Sequence, residues 1–510
     1  MATAPHGLGD PKVDRAFFGH PRGLSTLFFG EMWERFSYYG MRGFLILYMT
    51  AAVSSGGMGL DTATAAAVYG TYTSLVYLMS LPGGWIADRL IGQQRAVLVG
   101  GVLIAAGHFS LAAPAPVTFY LGLLLIVLGT GLLKPNISVI VGQLYSPEDV
   151  RRDAAFSLFY MGINLGAFVG PILTGFLAQS DTFRAQLIGW GLDPNTAWHW
   201  AFGAAGVGMT AGLIQYSLGR KNLGTAGLHP ASPPTAALKQ RATIWMASAL
   251  LLLAVAGIAV ATGAVPVSAS TITSGYGYLL LGVTVVFFTW LFLSGSWTPE
   301  ERKRLYLIGV FFLAAALFFA VFEQAGSTLN LFADRSTDNS IFGRPFPSSW
   351  WQSLNPLLIF TFAPVLAWLW VKLGRRQPWS PTKFAIGLLG AGLGFLILAP
   401  AAAMAAGGGK VGPGWLFFTY LLHTLGELCL SPVGLSSMTK LAPTRIVGLM
   451  MGVWFLGASV GNLLGGQAAA FYEAMPLEQL LVAVAVLPIL AGFGMFLYRR
   501  QLTRLTGDIS

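Results

Sequence analysis

Gly30-Glu-Met-Trp-Glu-Arg-Phe-Ser-Tyr-Tyr-Gly-Met-Arg-Gly43 lies within a long apolar run and carries four charged side chains. At about 100° per residue, a helix places Glu31, Glu34, Arg35, Tyr38, Tyr39 and Arg42 on one face. If that face met lipid, four charges at about 2.5–3.5 kcal/mol each would cost on the order of 10 kcal/mol. The stripe therefore faces the interior of a helix bundle. Charges retained at such cost line a substrate or proton pathway; the alternative is an ion-pair cluster that locks two helices.

The rest of the chain agrees with a bilayer as solvent. Soluble domains carry about 25% charged residues, whereas these 510 residues are 10% charged and 55% hydrophobic, with a mean hydropathy of +0.66. The formal charge of +10 comes from short Lys and Arg clusters between apolar runs. That pattern builds no continuous basic surface for nucleic acid. The lone cysteine, Cys429, excludes an intramolecular disulfide, and no Cys and His spacing suits zinc. His423 stands four residues before Glu427, the spacing of a helical metal pair, but two ligands without a third predict no metal site. His108 and His199 read as packing or span-end residues. No cofactor is expected, and no catalytic motif argues for an enzyme. Residues 1–22 are polar, with Lys12, Arg15 and Arg22, and read as an uncleaved tail.

Apolar segments able to cross about 30 Å of hydrocarbon fall near 24–53, 61–87, 95–113, 117–145, 153–180 and 196–218. Two more follow near 242–262 and 276–295, then six near 305–331, 350–371, 383–405, 413–441, 446–472 and 477–498. The expected fold is an all-α membrane protein of 14 spans. With the N-terminus inside, inner segments hold 23 Lys and Arg against 4 in outer loops, so both termini are expected in the cytoplasm. The expected organisation is a tail at 1–22, a six-helix bundle at 23–219, a linker with two extra helices at 220–300, a second six-helix bundle at 301–502 and a tail at 503–510. Two six-span halves suggest the parallel repeat of a major facilitator transporter. The loop from Gly83 through Asp88 and Arg89 to Arg95 resembles the facilitator signature, in which an acid and bases clamp helix ends.

Three stretches narrow the resemblance to a family. Glu31-x-x-Glu34-Arg35-Phe36-x-Tyr38-Tyr39-Gly40, the segment Gly83 to Gly107, and Phe156-Ser-Leu-Phe-Tyr-Met-Gly-Ile-Asn164-Leu-Gly-Ala-Phe168 are similar to motifs of the proton-coupled oligopeptide transporters. The likeness extends over the whole chain, since bacterial members also carry two extra helices between the halves. Those helices contain no charge here and are expected to be structural.

The remaining buried charges suit such a carrier. Lys134 precedes Pro135, which is expected to bend the fourth span, and needs a counter-charge from Glu31, Glu34 or Glu427. Glu323 lies in the seventh span and Glu427 in the tenth. The resemblance implies that Arg42 and Lys134 receive a peptide carboxylate and Glu427 its amino group, through charge-assisted bonds. Asn164 and Asn355 are expected to bond the peptide amide, with Tyr38, Tyr39, Tyr77 and Trp454 as amphipathic walls. For Tyr77 and Asn355, ordinary helix packing is an equal reading.

Proton coupling is expected from Glu31, Glu34, Arg35 and Glu323, because burial and neighbouring cations act oppositely on a carboxylate's hold on a proton. Related carriers pair an arginine matching Arg42 with a seventh-span acid, which implies an outer gate of Arg42 with Glu323. Lys134 with Glu427 would form a second gate toward the cytoplasm. Animal relatives use a second-span histidine, yet 61–88 contains none, so carboxylates must carry the proton. The expected function is import of di- and tripeptides with protons across a bacterial inner membrane, by a monomer. A same-family carrier of another solute such as nitrate is the alternative.

Overall fold

The structure, a computed structural model, describes residues 14–146, 149–232, 234–262, 268–293, 297–443 and 446–505. Lys12 with the start of the N-terminal tail, linker residues 233, 263–267 and 294–296, Arg445, and 506–510 of the C-terminal tail lie outside them.

Among the described residues, fourteen long helices follow one another: α1 (Arg22–Thr50), α2 (Thr62–Leu78), α3 (Gln93–Ala112), α4 (Pro116–Gln143), α5 (Arg151–Gln179), α6 (Ala197–Gly219), α7 (Ala236–Ala261), α8 (Ala269–Leu293), α9 (Pro299–Phe322), α10 (Leu354–Leu373), α11 (Ser380–Ala405), α12 (Gly414–Leu441), α13 (Val447–Ala469) and α14 (Leu477–Leu497). Among the described residues, eleven helical stretches have the length and apolar composition to cross a membrane. The other three long helices are α1, which carries the charged stripe, α2, which stops after 17 residues, and α6, diluted by His199 and several glycines. Together they make fourteen. Strand structure among the described residues is one two-residue pairing, β1 (Ser340–Ile341) with β2 (Arg344–Pro345).

Three expected spans are interrupted. The run at 61–87 ends as α2 at Leu78 and resumes as a short helix, Ser80–Ile86, followed by a π turn, Ala87–Ile91. Gly92, at φ +80°, ends that turn in a conformation that suits glycine. The run at 305–331 becomes α9, a 3₁₀ turn at Glu323–Gly326 and a short helix at Thr328–Ser336. The run at 350–371 opens with a 3₁₀ turn, Ser348–Ser353. Pro135, by contrast, lies inside an unbroken α4; a missing rung there does not end the helix, because its neighbours keep their own bonds.

The chain folds as two compact units, Met1–Met41 with Met79–Gly170 and His199–Ile272, and Arg42–Leu78 with Pro171–Trp198 and Thr273–Ser510. In the first, α3 and α4 meet along glycines. A Cβ on Gly100 would stand 2.5 Å from the Gly129 oxygen, and one on Gly107 would stand 2.8 Å from the Gly122 oxygen. Lipid gives no hydrophobic drive for helix pairing, so such close backbone packing supplies the attraction.

In the second unit, Phe311 of α9 and Phe384 of α11 stack at 4.2 Å and 7°. Helix α2 meets α13 where a Cβ on Gly70 would stand 2.6 Å from the Gly466 Cα. One turn further on, Ser74 and Ser459 bond through their hydroxyls at 2.8 Å. Tyr276 of the extra helix α8 joins them, 2.7 Å from the Ser74 hydroxyl.

Candidate functional site

Helix α1 presents its stripe as expected from a 3.6-residue period. Glu31, Glu34, Arg35 and Arg42 are each no more than 5% exposed. Arg35 Nε lies 2.7 Å from Glu31 Oε1, one turn away, and 3.0 Å from Glu34 Oε2. One guanidinium thus serves two carboxylates. Glu31 Oε2 and Glu34 Oε1 are buried without a hydrogen-bond partner, leaving acceptor capacity beside the cation. Lys134 of α4 is close enough to act on the charge of Glu34. With all four ionised, this group of two acids and two bases is neutral.

Arg42 lies in the second unit and forms its own hub there. Its Nη2 is 2.6 Å from Glu323 Oε2 and donates to the Glu323 main-chain oxygen at 3.2 Å. Its Nε donates to the Tyr69 hydroxyl at 2.6 Å. Tyr77, two turns along α2, donates to Glu323 Oε1 at 3.1 Å. Glu323 sits where α9 gives way to the 3₁₀ turn, because Gly326 and the non-helical Ser327 (φ −123°, ψ −89°) do not continue the helix. Gln352 steadies the far side of the turn, donating to the Ala325 oxygen at 2.5 Å and to the Tyr420 hydroxyl at 3.0 Å. Beyond the break, Asn330 donates to the Gly43 oxygen at 2.7 Å.

Glu427 of α12 accepts from Asn355 Nδ2 at 2.9 Å, and the same amide nitrogen is 3.0 Å from the Thr424 hydroxyl. Trp454 of α13 packs its ring against Phe319 at 5.7 Å, edge to face, over Gly434. His423 stacks flat on Phe395 at 5.5 Å, with Nε2 3.0 Å from the Ala391 oxygen. It is a packed residue. Among the described residues no three His, Cys, Asp or Glu are grouped to hold a metal.

The structure therefore brings together Glu31, Glu34, Arg35 and Lys134 in one unit, and Arg42, Glu323 and Tyr77 in the other. Glu427 and Asn355 also meet in the second unit. Tyr38 and Tyr39 touch edge to face at 5.3 Å. Asn164 donates to its own helix, to the Tyr160 oxygen at 2.9 Å. The sequence reading missed Tyr69, Gln352 and Thr424. The available signal for Tyr69 was its position eight residues before Tyr77, close to the same helix face.

The loop after α2 departs from an acid clamped by arginines. Asp88 Oδ1 accepts from Gln93 at 2.6 Å, while Arg89 and Arg95 are exposed. Glutamines hold the segment that follows α6: Gln94 donates to the Ala226 oxygen at 2.7 Å, and Gln143 accepts from the Gly227 N–H at 2.6 Å.

An all-helical membrane protein with titratable groups buried on broken spans belongs to the class of membrane transporters of the major facilitator type. The sequence pattern of the POT family matches residues 94–484, and the chain belongs to that family, the proton-coupled oligopeptide transporters. It is 41% identical over 478 residues to the peptide transporter YePEPT of Yersinia enterocolitica subsp. palearctica, covering 91% of each chain. It is 36% identical over 509 residues to the di-/tripeptide transporter of Lactococcus lactis subsp. cremoris, covering 98% of this chain and 99% of that one. A solved structure of a peptide transporter POT in complex with sulfate superposes with a TM-score of 0.88 at 43% identity, covering 96% of this chain and 97% of the other. The protein is a transporter and not an enzyme.

Proposed function

We propose that this chain imports di- and tripeptides together with protons across a bacterial cytoplasmic membrane, by alternating access of the halves 23–219 and 301–502. It works as a monomer with both termini in the cytoplasm. The observation that carries the reading is the buried Arg42–Glu323 pair, 2.6 Å apart, set at a helix break and bonded to Tyr77. A carboxylate held by a cation releases it on protonation, so one proton can unlatch two helices.

The peptide's carboxylate is received by Arg42 and Lys134 and its amino group by Glu427, with Asn164 and Asn355 on the amide and Tyr38, Tyr39, Tyr77 and Trp454 as walls. Glu31, Glu34 and Arg35 form the second proton-responsive group. Lys134 and Glu427 act as the inner gate, and Asp88, Arg89 and Arg95 belong to the cytoplasmic loop motif, where Asp88 accepts from Gln93. A zwitterionic peptide matches a site with both charge signs, whereas nitrate carries no cationic group for Glu427 to pair with.

One proton moving down about 100 mV releases roughly 2.3 kcal/mol, and one pH unit adds roughly 1.4. Together, about 3.7 kcal/mol supports several hundred-fold accumulation. Uptake of labelled dialanine into proteoliposomes tests the reading: it should require an inward proton gradient. Uptake unaffected by collapse of the gradient refutes the coupling, and competition by nitrate refutes the substrate class.

A further inference from the structure

A guanidinium carries five N–H donors, and Glu323 engages Nη2 of Arg42, through Oε2 and through its main-chain oxygen. The Nε–H is bound separately, by the Tyr69 hydroxyl at 2.6 Å. Tyr69 is 2% exposed. Its neighbour Gly70 is packed backbone to backbone on Gly466, so the tyrosine is fixed by the α2–α13 seam. The space in which hydroxyl and guanidinium meet is left open by Gly326. A Cβ there would collide with the Tyr69 hydroxyl and lie 2.9 Å from Arg42 Nε. Gly326 closes the same four-residue turn that Glu323 opens. One turn therefore supplies both the acid for Nη2 and the gap that admits the tyrosine to Nε.

We infer that Tyr69 and Gly326 are positioning residues for transport: the Tyr69 hydroxyl, admitted by the missing side chain at Gly326, holds Arg42 on Glu323 and sets how readily the pair parts. The inference rests on the function proposed above. Other titratable groups face the pair: Tyr77 bonds Glu323 Oε1, and Glu427 and Tyr420 act on it electrostatically. None of them changes in the variants below. Without the tyrosine, Arg42 regains rotamers that turn it away from Glu323, and the pair parts at a lower proton concentration.

Two measurements on the full chain decide the matter. In protein labelled with ¹⁵N-arginine and held in detergent micelles, the Arg42 Nε–H resonance is assigned by its loss in Arg42→Lys. Exchange of that proton with water should become at least about ten-fold faster in Tyr69→Phe, which keeps the ring, and in Gly326→Ala. In proteoliposomes, the pH at half-maximal driven uptake of dialanine should rise by about half a unit in Tyr69→Phe, a roughly three-fold lower proton concentration. Both variants act through one pose of Arg42, so the double variant should shift no further than the larger single shift.

Unchanged exchange in Tyr69→Phe overturns the positioning. Faster exchange with an unmoved pH profile overturns its part in transport. If Gly326→Ala fails to fold, Tyr69→Phe alone decides. Wild-type uptake indifferent to the proton gradient refutes the transport reading and the pH consequence with it, while the exchange rates still decide whether Tyr69 places Arg42.

Discussion

Asn355 donates its side-chain amide to Glu427 across 2.9 Å, from α10 to α12. The amide expected either to bond a peptide backbone or to serve helix packing is engaged by the acid proposed for the peptide's amino group. On the proposed function, Asn355 acts on the substrate partly through Glu427, by fixing where the carboxylate points. Asn355→Ala removes a hydrogen bond to a charged group, worth about 1.5–3 kcal/mol. The affinity for dialanine should fall at least about ten-fold, with far less change for N-acetylated dialanine, and Glu427→Gln should show the same pattern. Binding titrations in detergent check this; equal weakening of both ligands defeats the assignment.

Glu323→Gln keeps a side chain able to bond Arg42 and Tyr77 but unable to titrate. Proton-driven uptake should drop by more than about ten-fold, on the order of 1.4 kcal/mol or more in the coupled step, while exchange of labelled for unlabelled peptide continues without a gradient. Loss of both activities together would instead mark Glu323 as a structural residue.

At the end of α13, Glu473 accepts from the Thr62 hydroxyl at 2.6 Å and pairs with Arg335 at 2.6 Å. The Thr62 hydroxyl first, and Arg335 second, hold its carboxyl below the usual glutamate range. A carboxyl depressed in the folded state stabilises fully above its unfolded value, about 4.3, and loses that contribution as pH falls through the folded value. Since Glu473 is 58% exposed, the effect is screened, on the order of 0.2–1 kcal/mol. Glu473→Gln should lower the Tm at pH 7 by a degree or two, about what so small a term gives in a large chain. The difference should shrink as pH drops below about 4. Thermal unfolding in detergent across pH measures it, and a difference that grows with acid contradicts the sign.

Tyr276 ties the extra helix α8 to the Ser74–Ser459 contact, 2.7 Å from Ser74 and 3.4 Å from Ser459. Tyr276→Phe should destabilise the protein by about 1 kcal/mol, one net hydrogen bond, read as a lower Tm. A variant with wild-type Tm would show that the hydroxyl cluster adds nothing to packing.

The positions of the buried charges were legible because a charge in an apolar run is too costly to be incidental, so Glu323 and Glu427 stood out as clearly as the stripe on α1. The breaks were not. The first break falls at Met79, an ordinary helix former, and Gly326 lies in an apolar run of helical length, where an isolated glycine is compatible with a continuing helix. Only the close approach of Gly83 to the Gly131 backbone, and of Gly326 to Tyr69, reveals why they are glycines. Neutral polar residues were equally opaque. Tyr69 and Gln352 look like ordinary packing residues until their partners are seen, and Asn355 bonds ligand or protein with the same atoms. The arginines of the 88–95 loop drew attention by charge, whereas its glutamines carry the contacts.

Counted together over the two units, Glu31, Glu34, Glu323 and Glu427 against Arg35, Arg42 and Lys134 sum to one net negative charge when all are ionised. Uptake of one proton cancels it, and a zwitterionic peptide adds nothing. On the proposed cycle the loaded carrier is then electrically silent, and the empty carrier is the species that feels the membrane potential. A voltage negative inside drives the empty form's charge outward, by roughly 2.3 kcal/mol per 100 mV if it traverses the whole field. The potential therefore acts by resetting the carrier, and uptake currents should depend on voltage most steeply when peptide is saturating and the return step limits the rate.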